Sequence, residues 1–188
     1  IRGAGNILGK EQSGHVVAVG FEMYVRLVEE AVRELRGLPL EERPEPRLTT
    51  DVDAFLPDDY VEDAEEKVAF YKRLADAVEP EEVETLAAEL RDRFGKLAAP
   101  AQGLFDLRLL RVLGAQARLS SISLRGHKIE LEFASPPSPE AMREWMKRIT
   151  MPVEFATSGR FVMKAKGGLA EALDLVTRLA GRDPAAAA

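Results

Sequence analysis

The feature that most constrains the fold is a change in the spacing of apolar residues near residue 118. Before this point apolar residues recur every three or four positions, the period of an α-helix. After it they alternate with polar residues, as in a β-strand with one wet face. The alternating apolar residues are Ile122, Leu124, Ile129, Leu131 and Phe133. Because Gly126 and His127 separate the two sets, the pattern predicts a β-hairpin that turns there.

The remainder of the C-terminal half repeats this plan. A proline-rich stretch at 136–139 leads into a helix containing Trp145, which the pattern predicts as a core anchor beside Met142, Met146 and Ile149. A second hairpin turns at Ser158-Gly159, and Gly167-Gly168 opens a final helix to about Leu179. We therefore predict an α+β fold in which a helical layer packs on one face of a small antiparallel sheet of order ββαββα.

Three helices are predicted before the change of period. The first spans about 62–78, and its expected inward residues are Ala64, Val68, Tyr71, Leu74, Ala75 and Val78. The second spans 81–94 with Val83, Leu86, Leu90 and Phe94 inward, and Gly95 ends it. The third spans about 100–118 with Leu104, Leu107, Leu110 and Leu113 inward. Residues 47–60 precede them as an extended segment with a turn at Pro57-Asp58-Asp59.

The first 46 residues have a different character. Residues 1–15 contain four glycines, which is too many for a helix interior and indicates a loop. Residues 16–36 have the pattern of a widely buried helix, capped by Ser13 and ended by Gly37. Prolines in 39–46 predict an exposed linker. We divide the chain into a segment at 1–46, the loop, helix and linker, and a domain at 47–188. The start at Ile1 suggests that further residues precede it.

Charge is distributed unevenly along the chain. The formal net charge is −6, with −2 in residues 1–46, −9 in residues 47–95 and +5 in residues 96–188. Two interpretations stay open: scattered surface charge, or a basic face on the C-terminal domain that meets an acidic partner or phosphate. Absence of cysteine is typical of a cytoplasmic protein, and no membrane-spanning stretch is visible. Scarce Asn and Gln are typical of a thermophile or of a GC-rich genome.

The glycine-rich start does not have the residues of a nucleotide site. Gly9 and Gly14 have the spacing of a phosphate-binding loop, but His15 and Val16 stand where such a loop needs Lys and Ser or Thr. Gly3 and Gly5 begin a dinucleotide-type pattern that Leu8 breaks. We expect no nucleotide or other cofactor to bind this chain alone, and the chain alone to have no enzyme activity.

Metal and catalytic patterns are weak as well. His15 and His127 are the two histidines, and neither has a second strong ligand at a metal-binding spacing. His127 is better explained as a turn residue. The pairs Asp51/Asp53 and Asp58/Asp59 have no accompanying base, and a turn explains the second pair better than catalysis does. No catalytic or metal site is therefore predicted.

The same start resembles a known sequence motif. RGAGNILGKEQSG is similar to the translocation motif shared by RecG-type branch-migration helicases and the transcription-repair coupling factors. The segments that follow resemble the coupling factors more closely: VGFEMYVRLVEEAVRELRG, DVDAFLPDDYVEDAEEKVAFYKRLADA and EEVETLAAELRDRFG. The resemblance runs from Ile1 to about Leu113, beyond which it extends only to the plan of the domain. GKLAAPAQ departs from a more usual proline-rich segment, which affects local loop geometry.

The resemblance implies a parent protein that is an ATP-dependent double-stranded DNA translocase of helicase superfamily 2, with ATP and Mg²⁺ bound in its motor domains. The motif would couple ATP hydrolysis to movement along DNA. The matching residues are Arg2, Gly3, Gly5, Gly9, Gln12, Ser13, Gly14 and His15. Arg2 and Gln12 could form a switchable hydrogen-bond network, or they could merely bond loop carbonyls.

Residues 47–188 would then be a regulatory domain in DNA repair coupled to transcription. The resemblance implies that this domain docks on the protein's own N-terminal repair module and hides the surface that recruits UvrA. Implied partners are the remainder of its own chain, double-stranded DNA through the motor, and RNA polymerase and UvrA through other domains. The alternative is a free-standing adaptor without catalysis, whose ββαββα module binds protein or nucleic acid.

Overall fold

The computed structural model describes residues 45–157 and 161–183. The glycine-rich loop, the predicted helix at 16–36 and the predicted turn at Ser158-Gly159 lie outside these residues. Five strands are present: β1 Arg47–Thr50, β2 Leu119–Arg125, β3 Lys128–Phe133, β4 Val153–Thr157 and β5 Phe161–Lys166. Five helices accompany them: α1 Ala64–Asp76, α2 Pro80–Phe94, α3 Ala99–Gln116, α4 Pro139–Arg148 and α5 Leu169–Leu179. The α+β class and the predicted order of elements are confirmed.

The strands form one mixed sheet in the order β1-β2-β3-β5-β4. The four predicted strands pair in antiparallel fashion, as expected. The prediction of a purely antiparallel sheet is wrong at one edge, because β1 pairs with β2 in parallel. Three helices separate these two strands along the chain. They carry the chain back to the end of the sheet where β1 begins, so that β2 can run in the same direction.

The helix ends follow the predicted signals. Asp63 caps α1 by accepting a hydrogen bond from the Glu66 backbone N–H at 2.9 Å. Gly95 ends α2 at a φ of +83°, a left-handed value that suits glycine. Pro100 lies in the first turn of α3. The backbone N–H groups of Tyr60 and Val61 donate to the Pro57 carbonyl, which confirms the turn predicted there.

Helix α1 buries a different face from the predicted one. Leu74 is buried as expected, but Val68 and Val78 are 51% and 44% exposed. Phe70 takes their place in the core, with its ring centroid 6.3 Å from that of Phe94. An aromatic ring buries more apolar area than a valine, so Phe70 determines which side of the helix faces α2.

Helix α3 is the centre of the core. All four leucines predicted to face inward, Leu104, Leu107, Leu110 and Leu113, are at most 2% exposed. The backbone of α3 also approaches its neighbours closely: a Cβ added at Gly114 would lie 2.8 Å from Ile122 Cδ1 and 2.9 Å from Pro46 Cγ. Only glycine leaves room for β2 and the linker at this point.

Helix α4 is held more loosely than predicted. The Trp145 ring stacks on Phe133 with centroids 5.0 Å apart, and Trp145, Met142 and Ile149 are half-buried. Met146, expected in the core, is 60% exposed. None of the helix's residues is fully buried, because α4 packs at the margin of α5 rather than across the sheet.

Candidate functional site

The predicted translocation residues lie outside the described part of the chain. These residues are Arg2, Gly3, Gly5, Gly9, Gln12, Ser13, Gly14 and His15. Their roles stay predictions. The described part begins at Glu45, so the structure shows how the linker from that segment joins the domain.

The joint is a partly buried ion pair between Glu45 and Arg108 of α3. Arg108 is 2% exposed, and its Nη1 and Nη2 donate to the two carboxylate oxygens of Glu45 at 2.9 and 2.8 Å. Its Nε and Nη2 also donate to the Ala77 carbonyl at 3.1 and 2.8 Å. Ala77 ends α1, so Arg108 satisfies a carbonyl that the helix leaves without an internal partner. One guanidinium thereby joins the linker, α1 and α3.

A second arginine reinforces this joint. Arg111 follows Arg108 by about one helical turn, and its Nε lies 3.4 Å from Glu45 Oε2. That Nε is buried and has no hydrogen-bond partner among the residues that the structure describes. We call Glu45, Ala77, Arg108 and Arg111 the linker anchor. Two cations therefore lie beside one carboxylate whose side chain is 24% exposed.

The face of the sheet that none of the described helices covers is the second candidate site. Helices cover one face, where the register row Leu48, Ile122, Leu131 and Met163 is buried. The opposite face, which we call the outer face, presents only polar and charged residues in its middle row. That row is Thr49, Ser123, Glu130, Lys164 and Glu154, in which Lys164 Nζ lies 3.3 Å from Glu130 Oε1.

One end of the outer face carries a row of cations. Arg125 of β2 is the register partner of Lys128 of β3, and Lys128 is the partner of Lys166 of β5. All three side chains are exposed. Among the residues described, no carboxylate forms an ion pair with any of them. We call these three residues the basic row.

The other end of the sheet, beside the loop after β3, contains a groove of about 480 Å³. Its lining includes Arg47, Ser121, Glu132, Phe133 and Phe161. Ser121 Oγ lies 3.2 Å from Glu132 Oε2, within hydrogen-bond distance. By strand register Phe133 and Phe161 belong to the helix-covered side of the sheet, and Phe133 is only 5% exposed, so the outer side of the groove consists mainly of polar groups.

The exposed faces of α1 and α2 carry a network of ion pairs. Arg73 contacts Glu89 through two hydrogen bonds at 2.6 and 2.8 Å, and Arg93 pairs with Glu66 and lies over the Phe70 ring at 5.6 Å. The side-chain hydrogen bond from Arg73 lowers the pKa of the Glu89 carboxyl below its ordinary value. Because these groups neutralise one another, the excess negative charge of residues 47–95 resides elsewhere on the surface.

Two of the residues considered for catalysis or metal binding, Asp51 and His127, lie at the turn between β2 and β3. Asp51 Oδ2 accepts a hydrogen bond from the Gly126 backbone N–H at 2.8 Å, and His127 lies exposed in the turn after β2, as predicted. Between 45 and 157 and between 161 and 183, no group of three or more His, Cys, Asp or Glu residues is placed to hold a metal ion. Over the same ranges no helix has the length and apolarity that crossing a bilayer requires.

The linker anchor was missed in the sequence. Seven of the residues at 104–113 are Leu, Phe or Val, so Arg108 and Arg111 interrupt a helix that is apolar on most sides. Such an interruption indicates a buried ion pair. The partner, however, is 63 positions away along the chain, beyond the reach of any local pattern.

Comparison with known proteins gives a consistent result. The family model described as the TRCF domain matches residues 50–143, half of the chain. The transcription-repair-coupling factor of Myxococcus xanthus is 44% identical over 124 residues, 66% of this chain and 10% of that protein. That of Staphylococcus haemolyticus is 32% identical over 155 residues, 81% of this chain and 13% of that protein. The chain therefore spans about a tenth of the length of the curated relatives it matches.

A solved structure has the same fold. It is the crystal structure of the C-terminal domain of a transcription-repair coupling factor, with a TM-score of 0.63 and 18% identity. The match covers 73% of this chain and 92% of that one. At this identity the likeness concerns the fold alone, which agrees with the α+β domain described above.

Proposed function

This chain belongs to the transcription-repair coupling factor family, and we propose that it serves as the C-terminal part of an ATP-dependent double-stranded DNA translocase. In this proposal residues 1–46 couple ATP hydrolysis in the parent's motor domains to translocation. Residues 47–188 form a regulatory domain that masks the surface recruiting UvrA. The chain supplies no catalytic group; ATP and Mg²⁺ belong to the motor domains.

The observation that carries this proposal is the linker anchor. Arg108 binds the carboxylate of Glu45 at 2.8–2.9 Å, and Glu45 is the residue through which the translocation segment enters the domain. A hydrogen bond to a charged group contributes about 1.5–3 kcal/mol. The linker is therefore fixed to the core of the domain, and a displacement of the segment at Glu45 acts directly on α3.

The described part of the fold suits a regulatory role better than a catalytic one. The described residues form a single sheet with helices on one face and an exposed outer face with an unneutralised basic row. A face of this kind suits reversible contact with another protein surface, since charged surfaces give specificity more than raw affinity. A lid that must open and close on the N-terminal repair module needs such a contact.

Deletion of residues 47–188 from the intact protein tests the regulatory half. We expect UvrA binding to become tighter and basal ATP hydrolysis to rise, because the masking domain is gone. The matched control is Glu140→Ala, which changes an exposed residue of α4 whose side chain is 74% exposed. If deletion leaves both UvrA binding and ATP hydrolysis unchanged, the regulatory half is refuted.

The proposed coupling of ATP hydrolysis to translocation by residues 1–46 is tested separately. We expect Arg2→Ala and Gln12→Ala in the intact protein to leave ATP hydrolysis largely intact and to abolish translocation, because each removes a group of the proposed switchable network. Displacement of a triplex-forming strand from duplex DNA measures translocation. Normal displacement by both variants would show that Arg2 and Gln12 merely bond loop carbonyls.

The alternative of a free-standing adaptor is distinguished by the upstream coding sequence. Helicase motor motifs immediately before Ile1 support the translocase proposal, and a start codon there refutes it. The length of the relatives, of which this chain spans 10–13%, favours the translocase proposal.

A further inference from the structure

Helix α1 has a line of apolar residues that the described domain leaves partly open to solvent. Ala64, Val68, Tyr71 and Ala75 recur at spacings of four, three and four residues, which aligns them along one side of a helix. Ala64 is exposed, Val68 is 51% exposed, and Tyr71 and Ala75 are half-buried. Val78, just past the end of the helix, is 44% exposed. We call the four helical residues the α1 stripe.

The α1 stripe lies on the flank of the helix that faces away from α2. Glu66 and Arg73 mark the flank beside α2, where they pair with Arg93 and Glu89. These two residues lie about half a turn around the helix from the members of the stripe. Single exposed apolar residues are common on protein surfaces, but an aligned set is typical of a helix that packs on another helix.

The charges beside the α1 stripe indicate what covers it. Spacings of four and three are those of the a and d positions of a coiled coil, which places Glu65 and Lys72 at flanking e positions on one side. Both are exposed, and neither forms an ion pair with a residue of the described ranges. When two copies of α1 lie antiparallel with Val68 opposite Tyr71, Glu65 comes within about 3 Å, along the helix axis, of Lys72 of the second copy.

A hydrogen bond holds the central residue of the stripe in place. The backbone N–H of Leu56 donates to the Tyr71 hydroxyl at 2.8 Å, so the segment before α1 lies against the middle of the stripe. Phe55, the preceding residue, is 37% exposed. A ring that is already fixed loses less conformational entropy when a partner packs on it. The stripe is therefore prepared for a contact at Tyr71.

We infer that the α1 stripe binds a second copy of the protein, with the two helices antiparallel about a two-fold axis. The arrangement is self-complementary, because it joins the apolar stripes and makes two ion pairs between Glu65 and Lys72, one on each side of the axis. The stripe is about 17 Å long. A contact of this length on one helix buries less than the roughly 800 Å² per partner of a stable complex. The dimer is therefore weak, and its population depends on concentration.

Sedimentation equilibrium of the intact protein over a range of concentrations tests this inference. We expect a monomer–dimer equilibrium. Val68→Glu should raise the dissociation constant at least about tenfold, because it places a carboxylate in the apolar centre of the contact. Met146→Glu makes the same kind of change at a side chain 60% exposed on α4 and should leave the dissociation constant unchanged. Dimers that form equally well in both variants would assign self-association to another surface and overturn the inference.

Reversal of the flanking charges tests the identity and orientation of the partner helix. Glu65→Lys opposes two cations and Lys72→Glu opposes two carboxylates, so each should raise the dissociation constant several-fold at low salt. Glu65→Lys combined with Lys72→Glu recreates both ion pairs between two copies of the same variant. We expect its dissociation constant to return close to that of the wild type. A double variant that dimerises more weakly than either single variant would contradict the antiparallel pairing.

Residues 1–44 and the remainder of the parent protein are the competing occupants of the stripe. A monomer at every concentration overturns the inference. A lower unfolding temperature for Val68→Glu than for Met146→Glu would then show that the stripe is covered within one molecule.

The inference does not depend on the proposed function. Deletion of residues 47–188 is compared with the wild type at concentrations at which the protein is monomeric, so UvrA binding and ATP hydrolysis report regulation alone. Failure of the dimer leaves that comparison unchanged.

Discussion

The linker anchor and the basic row are both clusters of cations, yet they are built in opposite ways. In the anchor, Arg108 is buried and its N–H groups donate to Glu45 and to the Ala77 carbonyl. In the basic row, three exposed cations face one another without a carboxylate from the described chain. A buried charge must be satisfied inside the fold, whereas an exposed charge can stay available to a partner. The first cluster therefore maintains the structure, and the second is suited to recognition.

The largest effect expected from this contrast is at the anchor. Arg108→Ala removes the donor of the Ala77 carbonyl and the main donor of the partly buried Glu45 carboxylate, so we expect a loss of about 1.5–3 kcal/mol in the free energy of unfolding. Urea denaturation of the chain measures it. Arg143→Ala, at a side chain 71% exposed, is the control and should cost less than about 0.5 kcal/mol. A loss at Arg108 no larger than that of the control would show that the anchor does not hold the linker.

Smaller effects on the free energy of unfolding are expected on the outer face, and they have opposite signs at Lys128 and Lys164. Lys128→Glu places a carboxylate between Arg125 and Lys166 and should stabilise the chain by about 0.2–1 kcal/mol. Lys164→Glu on the adjacent strand breaks the ion pair with Glu130 and places two carboxylates opposite each other. It should therefore destabilise the chain by a similar amount. Urea denaturation of both variants at low salt measures the difference. If both changes destabilise the chain, repulsion within the basic row is refuted.

The smallest expected effect on stability is at Asp106, an acidic residue on α3, the helix that carries Arg108. Burial raises the pKa of the Asp106 carboxyl above its ordinary value, although the hydrogen bond from Gln102 Nε2 at 2.7 Å acts to lower it. A raised pKa in the folded state means that ionisation costs stability once the pH exceeds the pKa of the unfolded chain, about 3.9. Asp106→Asn should therefore stabilise the chain at neutral pH, and the gain should vanish below about pH 3. An equal gain at both pH values would show that charge is not the cause.

The predictions from sequence were most accurate where a regular period extends over many residues. The change of period near residue 118 correctly placed the first hairpin, and the leucines of α3 correctly marked the core. Strand β1 was predicted only as part of an extended segment, because its four residues, RLTT, are too few to show a clear alternation. Its pairing with β2, about 70 residues later, depends on the return of the chain through three helices.

The sequence did not predict the buried face of α1 or the alignment of the basic row, and both depend on contacts between elements. On α1 the apolar residues are spread around the helix, and the burial of Phe70 against Phe94 chooses among faces that the spacing alone leaves equivalent. The basic row was anticipated only as a net charge of +5 in residues 96–188. Its three members come from three strands, so they align only after the register of the sheet is set.

We propose that Glu45 attaches the domain to residues 1–46 and that the position of the domain controls UvrA recruitment. The most direct measurement is the UvrA affinity of the intact protein carrying Glu45→Ala, compared with the wild type and with the deletion of residues 47–188. We predict that Glu45→Ala raises the affinity toward that of the deletion, because the domain loses its fixed attachment to the linker. A Glu45→Ala affinity equal to the wild type, while the deletion binds more tightly, would contradict the claim.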